Sequence, residues 1–212
     1  MTQNREALYE IMTGQPVIPV IVIDDADDAV PLARALVAGG LPAIEITLRT
    51  DAALSAIERI AGEVPDAIVG AGTVLSGHQY EQVVSAGARF AVSPGFTREI
   101  AAAALGSAVP LLPGSTTASE IMRAIELGYT LLKFFPAEQS GGAAFLKSLA
   151  SPFGGVSFCP TGGVSASNAS DYLSLPNVLC VGGSWVAPKS AVEAGEWAKI
   201  EALAKEAAVL KV

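Results

Sequence analysis

Hydrophobic positions along the chain fall into two alternating patterns. Short runs that are apolar nearly throughout, each of strand length, occupy residues 17–23, 43–49, 67–73, 89–92, 109–112, 130–136, 156–160 and 178–181. Each is followed by a stretch with helical spacing, and these stretches end near residues 37, 61, 86, 105, 127, 149, 173 and 210. A short amphipathic helix over residues 3–13 comes before the first strand and stops near Gly14 and Pro16. A strand that is apolar on both faces is covered on both, which is the signature of a parallel sheet with helices packed around it. Eight strand–helix units predict one (β/α)8 TIM barrel with an extra N-terminal helix, a single domain over residues 1–212. An open doubly wound sheet is the alternative, but no dinucleotide-type glycine fingerprint follows the first strand.

Punctuation supports these boundaries. Asp27 and Asp28 open the helix that Gly39-Gly40 closes, Thr50-Asp51 stands where the next helix needs a cap, and Gly128 is placed to end the helix before it. The Asp24–Asp28 cluster therefore reads as capping and solvated charge, not as a metal site. Half of the residues are hydrophobic and 16% are charged, so the chain can bury a sizeable core and is not disordered.

Charge narrows the partners. A formal net charge of -8 argues against nucleic-acid binding, which depends on neutralising phosphates. An anionic substrate would have to be held by local donors. No run of about 18 apolar residues predicts a membrane span, and Met1-Thr2-Gln3-Asn4-Arg5 lacks the plan of a signal peptide. Cys159 and Cys180, without CxxC spacing, read as reduced core thiols of a cytoplasmic protein. His78 is the single histidine, too few for a histidine-based metal site, and it reads as an exposed helix-start residue.

One strand carries an unexpected cation. Lys133 lies inside Leu131-Leu132-Lys133-Phe134-Phe135-Pro136. Burial disfavours an ammonium and promotes the free amine, a nucleophile towards carbonyls. The other reading is a lysine whose stem packs while its head reaches water. In a parallel barrel the ends of the strands gather on one face, where sites form. The residues at those positions are Glu45, Arg49, Thr73, Pro94, Lys133, Thr161, Gly162, Gly163, Gly183 and Ser184.

Glu45, between Ile44 and Ile46, faces opposite to both; it is either a proton-transfer carboxylate or the partner of Lys133 or Arg49 in an ion pair. Arg49 shares its parity and is either a clamp for a substrate carboxylate or a surface arginine. Thr161-Gly162-Gly163 and Gly182-Gly183-Ser184 follow the last two strands, where exposed backbone N–H groups can cradle a phosphate. Amine, carboxylate, guanidinium and cradle together suit a phosphorylated keto sugar acid and imine-based carbon–carbon cleavage or formation.

Glu45-Ile46-Thr47-Leu48-Arg49-Thr50, Gly70-Ala71-Gly72-Thr73-Val74, Ser93-Pro94-Gly95, Lys133-Phe134-Phe135-Pro136-Ala137-Glu138 and Pro160-Thr161-Gly162-Gly163 carry a family likeness. Over essentially the whole chain the sequence resembles the 2-keto-3-deoxy-6-phosphogluconate (KDPG) and 4-hydroxy-2-oxoglutarate aldolase family, class I aldolases that include an Entner–Doudoroff enzyme. The resemblance implies a homotrimer without metal or organic cofactor. It implies Lys133 as the Schiff-base residue and Glu45 as general acid/base. Arg49 and Thr73 would hold the pyruvate-end carboxylate, with Pro94, Phe135 and Thr161 shaping the substrate pocket and Gly162, Gly163, Gly183 and Ser184 taking the phosphate. Products would be pyruvate and glyceraldehyde 3-phosphate. Main activity on non-phosphorylated 4-hydroxy-2-oxoglutarate, or a barrel that binds phosphorylated ligands without catalysis, are the alternatives. Ser115 departs from the family pattern, which has an aliphatic residue there, and this bears on substrate preference.

Overall fold

The computed structural model describes residues 4–211. Helix α1 (Arg5–Thr13) is followed by β1 (Val17–Ile21), α2 (Ala29–Ala38), β2 (Ala43–Thr47), α3 (Ala53–Glu63), β3 (Ile68–Gly72) and α4 (Gly77–Ser85). Then come β4 (Ala91–Val92), α5 (Arg98–Ala104), β5 (Leu111–Leu112), α6 (Ala118–Glu126), β6 (Leu131–Phe134) and α7 (Gly142–Leu149). β7 (Ser157–Pro160), α8 (Ala169–Leu173), β8 (Val181–Gly183), α9 (Lys189–Glu193) and α10 (Trp197–Ala208) complete the order. Six strands form a curled parallel sheet in the order β5-β4-β3-β2-β1-β8, a half-barrel, and β6 pairs in parallel with β7. Single parallel bridges, Gly114 to Lys133, Phe158 to Val178 and Thr161 to Gly182, join the two groups.

Side-chain alternation divides the interior in two. Ile44, Ile46, Leu132 and Phe134 face the helices in the larger apolar cluster. Their neighbours Ala43, Leu131, Cys159 and Cys180 point into the curl, where Leu8 and Met12 of α1 close its floor. Each fully buried aliphatic side chain here contributes about 1.5–3 kcal/mol relative to exposure. Buried Gln15 ties the first two strands together: its amide donates to the Val17 and Ala43 carbonyls and accepts from the Ala43 N–H.

Several expected boundaries move, each for a local reason. The start of the first helix at residue 3 lies outside the described residues; the described helix begins at Arg5, with Asn4 capping it. Asp25 caps a 3-10 turn at Ala26–Asp28 before α2 begins. Asp27 pairs with Arg59 and Asp24 with Lys189, and among the described residues no group of three His, Cys, Asp or Glu side chains is arranged for a metal. Thr50 does not cap α3, because its hydroxyl donates to the Ile23 carbonyl in the segment just after β1. Gly128 stands one residue beyond the α6 cap, Leu127, at φ +84°. The last strand starts at Val181 instead of Val178, since its ladder to β1 pairs Val17 with Val181 and Pro19 with Gly183. The long terminal helix breaks into α9 and α10 at Gly195, whose φ of +64° lies outside helical space.

Candidate active site

Lys133 enters the curl from β6 because Leu132 and Phe134 take the helix-facing positions on either side of it. Its backbone is held on the β5 side by Lys133 N–H to the Pro113 carbonyl at 2.8 Å and Ser115 N–H to the Lys133 carbonyl at 2.9 Å. Across the interior, its Nζ lies 3.3 Å from Oε1 of Glu45, and each residue is only 3% exposed. Removing two opposite charges from water is costly unless each offsets the other, so neither residue would be retained there alone. Of the readings open for Glu45, the partner is Lys133; Arg49 forms no ion pair with a described carboxylate.

Gly72 creates the space that Glu45 fills. A Cβ at Gly72 would stand 2.0 Å from Oε1 and 2.6 Å from Cδ of the carboxylate. Phe135, two residues after Lys133 and of the same parity, places its ring centroid 5.4 Å from Nζ, close enough for a favourable cation–π contact. The Phe135 carbonyl in turn accepts from the Thr116 hydroxyl at 2.7 Å, a support given by a residue that sequence reasoning passed over. Pro94 approaches from β4: its carbonyl oxygen would lie 2.1 Å from a Cβ on Gly114, the residue bridged to Lys133.

Arg49 and Thr73 form a second group. Arg49 is exposed at the end of β2, and its Nε donates to the Thr73 hydroxyl at 3.2 Å. Thr73 is the one described non-glycine residue at positive φ, +57°, a costly conformation for a β-branched residue. Such strain is retained where the surrounding structure dictates it, and here it turns the hydroxyl towards the guanidinium. The Arg49 charge, without a carboxylate partner, is available to an anionic ligand group.

The loop after β7 forms the third group. Gly162 and Gly163 adopt φ of +99° and +78°, and their N–H groups, like that of Ser184, donate to no described acceptor. Thr161, 6% exposed, anchors the loop through its N–H to the Phe134 carbonyl at 2.9 Å. Gly182 and Gly183 lie within β8 and not in the loop after it, and packing accounts for both. A Cβ at Gly182 would meet the Thr161 hydroxyl at 2.3 Å, and one at Gly183 would meet the Trp185 ring at 1.8 Å. The grouping thus joins Lys133 to Glu45 and Phe135, Arg49 to Thr73, and Thr161 to Gly182, without contact between Arg49 and Lys133. His78 lines an external groove of about 590 Å³ between α3 and α4, away from these residues.

The strand ends of the curled parallel sheet thus bring together a buried lysine–carboxylate pair, an arginine without a described carboxylate partner and backbone donors without described acceptors, the groups that an imine-forming aldolase acting on an anionic substrate requires. The family model for "KDPG and KHG aldolase" matches residues 8–203, and the chain belongs to that family. It is 54% identical over 207 residues to the 2-dehydro-3-deoxy-phosphogluconate aldolase of Dickeya dadantii, covering 98% of this chain and 97% of that protein. The KDPG aldolase of Legionella pneumophila, whose crystal structure holds pyruvate as a covalent carbinolamine intermediate, superposes with a TM-score of 0.92 at 47% identity, covering 94% of this chain and 97% of that one. The 2-keto-3-deoxy-6-phosphogluconate aldolase of Zymomonas mobilis with 3-phosphoglycerate gives a TM-score of 0.92 at 49% identity, covering 98% and 97%.

Proposed function

We propose that the protein cleaves 2-keto-3-deoxy-6-phosphogluconate to pyruvate and glyceraldehyde 3-phosphate through an imine on Lys133. The observation that carries this reading is the 3.3 Å separation of Lys133 Nζ and Glu45 Oε1 inside the curl. Lys133 passes a proton to Glu45 and its free amine attacks the C2 ketone; Glu45 returns the proton as water leaves, which gives an iminium. Glu45, directly or through a water, removes the C4 hydroxyl proton. The C3–C4 electron pair passes into the iminium, glyceraldehyde 3-phosphate leaves, and protonation of the enamine and hydrolysis release pyruvate. The carboxylate end of the substrate faces Arg49 and Thr73, with Pro94 and Phe135 walling the pocket beside Thr161. The phosphate lies against the N–H groups of Gly162, Gly163, Gly183 and Ser184. These steps use side chains and substrate alone, with no metal or organic cofactor.

The same reading includes a closed eight-stranded barrel preceded by α1, a single domain over the full sequence, and a homotrimer. Closure is supported by the three bridges between β6-β7 and the larger sheet. Association is supported by exposed apolar side chains, Met122 and Ile125 on α6 and Leu105 and Leu127, the last two lining one groove. A cytoplasmic location fits two buried, unpaired cysteines. No described helix is long and apolar enough to cross a membrane.

Borohydride reduction in the presence of pyruvate tests the chemistry. Wild type is expected to gain one pyruvate-derived mass on Lys133, and K133A none. Activity that survives in K133A, or that a chelator abolishes, rules the imine route out. The ratio of rates on the phosphorylated substrate and on 4-hydroxy-2-oxoglutarate decides which member of the substrate class is preferred.

A further inference from the structure

Glu138 poses an electrostatic puzzle. It follows β6 in a 3-10 turn, Glu138–Ser140, and brings a carboxylate beside the Gly162-Gly163 loop, whose N–H groups donate to no described acceptor and suit an anion. Like charges a few ångströms apart repel by about 1 kcal/mol or more even in water, so a carboxylate here weakens phosphate binding unless it performs another task.

The contacts define that task. The Glu138 N–H donates to the Gly162 carbonyl at 3.1 Å. Its side-chain stem lies against Gly163, where an added Cβ would stand 2.6 Å from Glu138 Cγ and 2.7 Å from Glu138 Cβ. The Tyr172 hydroxyl on α8, from a side chain only 1% exposed, donates to Oε1 of Glu138 and fixes the direction of that stem. Burial first, then the hydrogen bond to Glu138 and its charge, push the Tyr172 phenol well above its ordinary value, so it keeps the proton it donates. On the far side, Asn168 donates to the Gly163 carbonyl at 3.1 Å. Both carbonyls of the turn are thus held from outside, while its N–H groups donate to no described acceptor.

We propose that Glu138, gripped by Tyr172, is a positioning residue that holds the Gly162-Gly163 turn in its phosphate-binding shape. This rests on the aldolase reading above and assigns to Glu138 no contact with the reacting carbons. The carboxylate acts as an acceptor with a stem, and its negative charge is incidental.

Steady-state kinetics on two substrates tests it. E138A removes stem and acceptor, and is expected to raise KM for the phosphorylated keto acid about tenfold, the effect of losing one ordinary hydrogen-bonded contact, with kcat within about twofold. Y172F keeps the buried ring and is expected to raise the same KM a fewfold, which serves if E138A folds poorly. E138Q retains both stem and acceptor oxygen, and is expected to match wild type or bind slightly tighter. KM for 4-hydroxy-2-oxoglutarate and the rate of borohydride trapping with pyruvate should not move in any of the three. Equal KM changes on both substrates, an unchanged KM in E138A and Y172F, or E138Q as damaging as E138A each overturn the assignment. Failure of pyruvate trapping in wild type instead overturns the imine reading, so the two failures are separable.

Discussion

Gly72→Ala is the sharpest test of how the lysine–carboxylate pair is held. Gly72 lies in β3, in register with Thr47 of β2, and its φ is not in the left-handed region, so alanine meets no backbone strain. The nearest obstacle is Glu45. A Cβ at position 72 would stand 2.0 Å from Oε1, 2.6 Å from Cδ and 2.7 Å from Cγ. To restore ordinary van der Waals contact, the carboxylate has to retreat by about 1 Å or more. The side chain that has to absorb this shift is 4% exposed inside the curl. Oε1 therefore leaves its 3.3 Å position beside Lys133 Nζ.

A misplacement of about 1 Å in a proton-transfer group costs roughly 10²-fold in rate. Overpacking at one site costs about 1–3 kcal/mol of stability, a fall in Tm of several degrees for a chain of this size. The assay couples pyruvate release to lactate dehydrogenase and follows kcat beside a thermal melt. Gly62→Ala is the control: it lies in α3 with nothing within 4 Å of the added methyl. It is expected to leave kcat unchanged and raise stability by about 0.4–1 kcal/mol. A folded Gly72→Ala enzyme with kcat within threefold of wild type would refute the claim that this glycine places Glu45.

Three further outcomes follow from single residues. The Ser115 hydroxyl is buried without a hydrogen-bond partner among the described residues, so Ser115→Ala should raise stability by about 1 kcal/mol, read as a shift in denaturant midpoint with unchanged m. Partial burial pushes the Glu120 carboxyl up, but hydrogen bonds from the Thr117 and Thr116 N–H groups and the Thr117 hydroxyl outweigh it and hold it below the ordinary value. A depressed folded-state pKa stabilises above the unfolded pKa of about 4.3 and loses that contribution as pH falls through the folded value. Wild type should thus melt above Glu120→Gln at neutral pH, with the gap closing in acid. Arg49→Lys loses the planar fork, and should raise KM for both keto-acid substrates about tenfold while pyruvate trapping at saturation persists.

Much of this was legible in the sequence where a side chain declares its own surroundings. Runs such as 17–23 and 43–49 are apolar on both faces, so their strand character and parallel pairing follow from the residues alone. The parity of Glu45 and Lys133 told that each opposes its apolar neighbours. It could not tell that the two meet, because they are 88 residues apart and only the curl of the sheet brings them to 3.3 Å. The short strands were harder. β8 was expected three residues too early because Val178-Leu179-Cys180-Val181 has strand chemistry, whereas the ladder to β1 selects Val181–Gly183.

Glycine explains most of the remaining difference. With no side chain, a glycine in the sequence signals only that something else needs room or an unusual φ, and the identity of that something is a tertiary fact. The pair at 162 and 163 meets the expectation of an open turn, with both residues at positive φ and both N–H groups free of described acceptors. The pair at 182 and 183 looks identical in one-letter code, yet it yields space to the Thr161 hydroxyl and the Trp185 ring. Gly72 drew notice only as part of a motif, although it is what admits a carboxylate to the interior. The three cases separate under a single methyl. At 72 it should strike kcat, at 162 or 163 the KM for the phosphorylated substrate, and at 183 the fold itself, because the indole ring has no flexible end to withdraw. A uniform response across these positions would mean that their spacing, and not their neighbours, sets what each glycine does.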